Sequence, residues 1–265
     1  TLFRSALLGC AMLLGCAGSP SPLTPGLHGS VGLSHRGVLT HGVALAKRDE
    51  GYERLRDDGV HWRHPGLVAT IERAARDVAR THPGSPPLVV GDLSLRWGGQ
   101  ASRHRSHRSG RDVDLLLYAT TPSGVPVKSP GFVRFGRDGL AELDKKRSRF
   151  VRFDVARNWR LVRALLESPH ADVQWVFVSK PLEAQLVEHA LALGEDPELV
   201  WHAQTVMLQP SDSAAHDDHF HVRIACRPHE AVQGCEGGGP RSPSLEPLPR
   251  IDELPPAHLP AALPG

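Results

Sequence analysis

The sequence of 265 residues predicts a single α+β domain, in which a central antiparallel sheet is flanked by helices. Helical and strand-like segments are interspersed, without the regular strand–helix–strand period of a doubly wound parallel sheet. Proline-rich segments near both ends leave a central region of roughly 200 residues, which is a normal length for one domain.

Three segments predict helices. Apolar residues recur at helical spacing over 66–81, directly after Pro65. Asp154 is a typical N-cap for a helix over 155–167, and Pro181 opens a helix that continues to about Leu193. Short apolar or alternating runs predict four strands, at 88–90, 113–118, 173–179 and 219–225.

The N-terminus predicts export. Arg4 precedes an apolar run that ends at Gly15, shorter than the ~20 residues needed to cross a membrane but typical of a signal peptide. The letters Leu-Leu-Gly before Cys16 look like a bacterial lipoprotein signal, so we expect residues 1–15 to be removed and Cys16 to be lipidated. The same letters precede Cys10, so the processing site stays open between these two cysteines, with secretion of an unmodified chain as the alternative.

Amino-acid composition predicts where the folded domain begins and ends. Residues 16–27 are rich in Pro, Ser and Gly and predict a tether. Residues 236–265 are rich in proline and lack apolar periodicity, which predicts a disordered tail, so the folded domain is expected over 28–235. We expect Cys226 and Cys235 to form a disulfide in an oxidising compartment, with two free thiols as the alternative.

The charge balance excludes a dedicated nucleic-acid binder. Lys+Arg 31 against Asp+Glu 29 gives a net charge of only +2. Arginines cluster at positions 103, 105, 108 and 111, but no aromatic residues are interleaved with them for base stacking. We therefore expect no nucleic-acid partner.

Histidine and carboxylate residues concentrate in two segments of the chain. Side chains two positions apart on a strand share one face, which applies to Asp112 and Asp114 and to His219 and His221. His107 precedes the first pair. Two histidines and one carboxylate, with water as the fourth ligand, make up a catalytic zinc site, although the same set also suits non-haem iron. No His-Glu-x-x-His motif occurs, which excludes the common zincin arrangement.

The spacing His107-x6-Asp114 together with His219-x-His221 resembles the signature of a metallopeptidase group that includes lysostaphin-type enzymes, D-Ala-D-Ala peptidases and the hedgehog domain. Two longer strings, 106–114 and 216–223, are similar to those of the penicillin-insensitive murein endopeptidase family. The resemblance covers roughly residues 28 to 235 and is strong in these two motifs. Three residue pairs outside the motifs also fit it: Gly29-Ser30, Gly91-Asp92 and Gly98-Gly99.

The resemblance implies a mononuclear site with one zinc ion per chain, held by His107, Asp114 and His221. His219 would lie beside the metal and act as general base or stabilise the tetrahedral intermediate. His216 matches a further histidine of the family's site and is the second predicted catalytic residue, with a supporting role as the alternative.

Four more residues are predicted to bind substrate or to support the ligands. His104 matches another histidine of the family's site, and Asp112 shares the strand face of Asp114. Arg108 and Arg111 are expected to pair with free carboxylates of a cross-linked peptide, with a solvated loop as the alternative.

The implied reaction is hydrolysis of the peptide cross-links of peptidoglycan, chiefly the bond from D-alanine to diaminopimelate, by a metal-activated water. The chain has no Ser-x-x-Lys motif of penicillin-reactive enzymes. We expect a lipoprotein in the periplasm of a Gram-negative bacterium, with peptidoglycan as its partner and a lipid anchor in a membrane. Two alternatives remain: a zinc-bearing, non-catalytic cell-wall binding protein, and a D,D-dipeptidase or carboxypeptidase of the same metal group.

Overall fold

The computed structural model describes residues 28–101 and 104–240. The predicted signal peptide and tether, Cys10, Cys16 and the tail from residue 241 lie outside the described residues, as does Arg103. Among the helices of the described ranges, none has both the length and the apolar character needed to cross a bilayer.

Short strands dominate the first third of the described chain, and helices follow. The strands are β1 (Gly29–Leu33), β2 (Arg36–Thr40), β3 (Val43–Ala44), β4 (Arg48–Asp49), β5 (Tyr52–Arg54), β6 (Trp62–Arg63), β7 (Leu88–Val90), β8 (Asp112–Leu116), β9 (Ala119–Thr120), β10 (Pro126–Val127), β11 (Leu140–Asp144), β12 (Arg149–Phe153), β13 (Val173–Phe177), β14 (Met207–Leu208) and β15 (His219–Ile224). The helices are α1 (Pro65–Thr81), α2 (Val155–Leu166), α3 (Lys180–Leu193), α4 (Pro197–Val206) and α5 (Pro228–Val232).

The central sheet has seven strands in the order β14-β13-β15-β8-β7-β5-β4. Its middle strands β13, β15, β8 and β7 pair antiparallel. However, β14 pairs with β13 in parallel, and β5 pairs with β7 in parallel. Helices connect both of these pairs, and such a crossover returns the chain in the same direction. The predicted antiparallel sheet is therefore wrong for these two pairings, and the sheet is mixed.

Alternation along β8 and β15 gives the sheet two different faces. One face joins the helices in a single apolar core, to which alternate residues of the two strands contribute: Val113, Leu115, Phe220, Val222 and Ile224. The opposite face carries the intervening residues, and here His221 lies opposite Asp114 across the two strands. The helices therefore leave the polar face of the sheet free to form a site.

The three predicted helices are confirmed as α1, α2 and α3. The side chain of Asp154 caps α2 by accepting a hydrogen bond of 3.0 Å from the backbone N of Arg157. The four predicted strands are also confirmed, as β7, β8, β13 and β15. The sequence patterns missed α4, the short strands before residue 64 and a second sheet with the order β10-β9-β12-β11.

The first and last described strands and loops meet at one edge of the domain. The predicted disulfide between Cys226 and Cys235 is confirmed. Gly32 of the β1–β2 hairpin pairs with Cys235, and its backbone N donates to the carbonyl of Gly234 at 2.7 Å. Ordered contacts continue past the predicted boundary at residue 235, since Trp175 Nε1 donates to the carbonyl of Gly238 at 3.3 Å.

Candidate metal centre in an open cleft

A cleft of about 950 Å³ opens on the polar face of the central sheet. Its lining includes all the predicted site histidines except His107, which lies fully buried beneath the floor. The aromatic rings of Phe132 and Phe177 form two of the walls. Phe177 reaches the cleft because it pairs with His221 across neighbouring strands, and directly paired residues share one face of the sheet.

The loop before β8 holds His107 in a conformation that few residues adopt. His107 has φ of +64° and Gly110 has φ of +76°, so the chain turns sharply twice before Asp112. The carbonyl of Gly110 accepts a bond of 2.9 Å from the backbone N of His64, and the backbone N of Arg108 donates to the carbonyl of Ser34 at 3.0 Å. These bonds fix the loop against the start of α1 and against the N-terminal hairpin.

Three imidazole nitrogens converge on one oxygen of Asp114. Oδ1 of Asp114 lies 3.2 Å from Nδ1 of His221, 3.3 Å from Nε2 of His107 and 3.4 Å from Nε2 of His219. The two nitrogens of His107 and His221 are themselves 3.3 Å apart. Yet neither oxygen of this fully buried carboxylate has a hydrogen-bond partner among the described residues.

These residues fit a divalent metal. A buried carboxylate without hydrogen bonds is costly unless a cation compensates it. Ligands about 2.0–2.1 Å from a tetrahedral metal lie about 3.3 Å from one another, which matches the separations among His107, Asp114 and His221. Two clusters of candidate ligands meet here, namely His104, His107 and Asp114, and His216, His219 and His221.

A second layer of carboxylates orients the histidines. Nε2 of His221 donates to Oδ1 of Asp112 at 2.9 Å, which leaves Nδ1 of His221 as the bare nitrogen toward Asp114. The same oxygen of Asp112 accepts from Nε of Arg223 at 2.6 Å. Asp112 therefore contacts the imidazole of His221 and the guanidinium of Arg223 at once.

His104 is held in the same way from the other side. Its Nε2 donates to Oδ2 of Asp92 at 2.8 Å and lies 3.7 Å from Oδ2 of Asp114. Arg56 binds the other oxygen of Asp92 at 2.8 Å, and its guanidinium lies 5.5 Å from the ring centre of Phe132. The ring of Phe132 in turn meets His219 edge-on at 5.2 Å.

The close packing of carboxylates and imidazoles in the cleft shifts the pKa values of several of these side chains. Burial alone raises the pKa of Asp114, but the imidazoles of His107 and His219 outweigh it and hold that pKa well below its usual range. Burial alone lowers the pKa of His219, but Asp114 and Asp218 raise it to about 10. His216 lacks such a partner for its buried Nδ1 among the described residues, and burial with the neighbouring imidazoles lowers its pKa to about 4.

The two predicted substrate arginines have different surroundings. Arg108 lines the cleft, and its buried Nε has no hydrogen-bond partner within the described ranges. Arg111 is buried outside the lining and donates to the carbonyls of Ile224 at 3.4 Å and Glu236 at 2.6 Å. The substrate contact predicted for Arg111 is therefore wrong, because its guanidinium is turned toward the C-terminal segment.

Several residues of the site were not predicted. Arg223 shares the face of His221 by the same period-two rule and was detectable from the sequence. Asp218 stands next to His219 and contacts it. Arg56 and Phe132 come from distant loops, and no local pattern marks them.

The fold and the cleft define a class of protein, an α+β domain with a histidine–carboxylate cluster suited to a divalent metal at the base of an open groove. A family model described as penicillin-insensitive murein endopeptidase matches residues 30–243. The chain belongs to this family.

Curated relatives agree with the family. The chain is 28% identical over 205 residues to a penicillin-insensitive murein endopeptidase of Pectobacterium atrosepticum, covering 74% of this chain and 64% of that protein. It is 25% identical over 217 residues to one of Yersinia pestis, covering 79% of this chain and 68% of that protein. The chain thus spans about two thirds of the length of these relatives.

Proposed function

We propose that the protein is a metal-dependent endopeptidase that hydrolyses the peptide cross-links of peptidoglycan. The observation that carries this proposal is the convergence of His107, His221 and His219 on Asp114 at the base of an open cleft. Neither oxygen of that carboxylate has a hydrogen bond among the described residues. Membership of the penicillin-insensitive murein endopeptidase family supports the substrate class. The bond from D-alanine to diaminopimelate is the proposed cleavage site.

His107, Asp114 and His221 would hold the metal, and zinc is the ion that we propose. When bound, zinc activates a water molecule for attack at neutral pH and polarises the scissile carbonyl. Asp112 fixes the tautomer of His221, so that Nδ1 is available as a ligand.

His219 is the proposed general base. Its Nε2 faces the ligand cluster at 3.4 Å from Asp114, while Nδ1 is turned away toward Asp218. The charges of Asp114 and Asp218 raise the pKa of His219; a cation held by Asp114 would offset part of that charge and would favour the neutral imidazole, whose bare Nε2 could accept a proton. His216, whose ring centre lies 5.3 Å from that of His219, would line the path of the leaving amine.

Substrate binding is proposed for the cleft wall that carries Arg108. The buried Nε of Arg108, which has no hydrogen bond within the described part of the chain, suits a carboxylate or carbonyl oxygen of the peptide. His104 supports the cluster through Asp92. We also infer a periplasmic location, a lipid anchor at Cys16 and no nucleic-acid partner, from the family and from the N-terminal sequence.

Incubation of the purified protein with a cross-linked muropeptide dimer tests the proposal, with products identified by mass. We expect monomers to appear, to vanish in the presence of a chelator and to return when zinc is added. An intact dimer, in a preparation that contains stoichiometric metal, would contradict the proposed reaction. Release of only a C-terminal residue or dipeptide would instead indicate a carboxypeptidase or dipeptidase.

A further inference from the structure

We propose that Asp218 is a positioning residue, which fixes the orientation and the tautomer of His219. Oδ1 of Asp218 accepts a hydrogen bond from Nδ1 of His219 at 2.5 Å. Nε2, at the other end of the imidazole, faces the ligand cluster. This inference rests on the proposed function, because it assigns a role to the partner of the proposed base.

The contact makes the two nitrogens of His219 different. A neutral imidazole carries one proton, and the hydrogen bond made by one nitrogen decides which nitrogen stays bare. With its proton on Nδ1 and donated to Asp218, His219 presents a bare Nε2 to the reacting water. The opposite tautomer would direct an N–H at the cluster and could accept no proton there.

The backbone around Asp218 is held in place, so the contact is not a chance meeting of two surface side chains. The backbone N of Ser179 donates a hydrogen bond of 2.7 Å to the carbonyl of His216. The backbone N of Phe135 donates one of 2.8 Å to the carbonyl of Asp217. The next residue, His219, begins β15. The side chains of Asp218 and His219 are only 22% and 16% exposed, which shields their hydrogen bond from water.

The adjacent aspartate provides a matched control. Asp217 has the same charge and adjoins Asp218, but its nearest cation is Arg134, whose Nε lies 3.7 Å from Oδ1 of Asp217 and whose side chain is 72% exposed. Asp217 is not part of the cleft lining, whereas Asp218 is. Asp218→Asn and Asp217→Asn therefore both replace a carboxylate by an amide, at adjacent positions of the chain, but only the first changes the partner of His219.

The first measurement is the kinetics of both variants on the muropeptide dimer, with metal content and Tm determined in parallel. For Asp218→Asn we expect kcat to fall about 10- to 100-fold, with KM and zinc content unchanged. For Asp217→Asn we expect kcat within about twofold of the wild-type value, because its side chain lies outside the cleft lining and its ion pair is with the exposed Arg134. A kcat of Asp218→Asn equal to that of Asp217→Asn, or a lower Tm with an unchanged kcat per folded molecule, would overturn the proposal.

A second measurement does not depend on activity. Two-bond ¹H–¹⁵N spectra of zinc-loaded protein, with His219 assigned through His219→Gln, report the protonation of each imidazole nitrogen. We expect the proton on Nδ1 and a bare Nε2 in the wild type, and a shift of the proton toward Nε2 in Asp218→Asn. A wild-type spectrum with the proton on Nε2 and a bare Nδ1 would refute the assignment. If the wild type cleaves no muropeptide, the proposed function fails, but these spectra still decide the role of Asp218.

Discussion

The two faces of the central sheet are built from the same strands but obey different physical rules. On the helix side, Leu115 and Val222 are fully buried in apolar contacts. On the cleft side, Asp114 is also fully buried, yet both of its oxygens lack hydrogen bonds among the described residues. One face stabilises the fold, and the other gathers carboxylates and imidazoles in an arrangement that suits a bound cation. Substitutions at neighbouring positions of one strand should therefore separate stability from function.

The largest effect is expected for His221→Ala. Removal of this imidazole takes away a proposed ligand and leaves Asp112 and Asp114 facing each other without it, so zinc and cleavage should both be lost. Metal analysis and the muropeptide assay measure the two losses. The adjacent Val222→Ala, on the opposite face, is the control and should keep both metal and kcat per folded molecule. Full zinc content with full activity in His221→Ala would disprove the ligand assignment.

His219→Ala should separate chemistry from metal binding on a single face. We expect near-normal zinc content, with kcat lowered by about 10² to 10⁴, because a general base contributes that much. Single-turnover cleavage with parallel metal analysis checks both values. Loss of the metal together with the rate would show that His219 is instead a ligand.

Leu115→Ala tests the helix side. Truncation of a fully buried leucine should lower the free energy of unfolding by about 2–5 kcal/mol. Urea denaturation measures the loss, and kcat per folded molecule should stay unchanged. A selective loss of kcat at unchanged stability would show that the two faces are not independent.

The smallest effects distinguish two arginines of the loop before β8. Arg108→Ala should raise KM roughly tenfold or more, because a hydrogen bond to a charged group contributes about 1.5–3 kcal/mol. Arg111→Ala should leave KM unchanged and lower stability, since its guanidinium holds the carbonyls of Ile224 and Glu236. Equal KM values in wild type and Arg108→Ala would remove Arg108 from the substrate site.

The sequence predicted the strands and helices whose periodicity is strong. The alternation around His219 and His221 predicted β15 and the shared face, and helical spacing predicted α1. Strands of two residues, such as β4 and β6, are too short for periodicity to show. Helix α4 was missed, although Asp196 and Pro197 form an N-cap signal and Asp196 caps it at 2.8 Å.

The site was predictable where one strand or one motif carries it. The candidate ligands come from two short motifs, so their spacing pointed to a common centre. Asp92 and Arg56 reach the cluster from separate loops, and only the tertiary fold brings them to His104. The direction of Arg111 was not predictable either, because it depends on the segment after Cys235.

The contact between the ends of the domain has a consequence for the order of assembly. The loop that carries His107 rests on the N-terminal hairpin, where Ser30 Oγ donates to the carbonyl of Ser109 at 2.6 Å. That hairpin is joined in turn to the segment of Cys235, the last cysteine of the chain. A nascent chain lacking this segment therefore lacks part of the support of the loop that carries His107. The loop therefore gains its full set of contacts only after synthesis has passed Cys235, and any function that depends on His107 must wait for the C-terminal end of the domain.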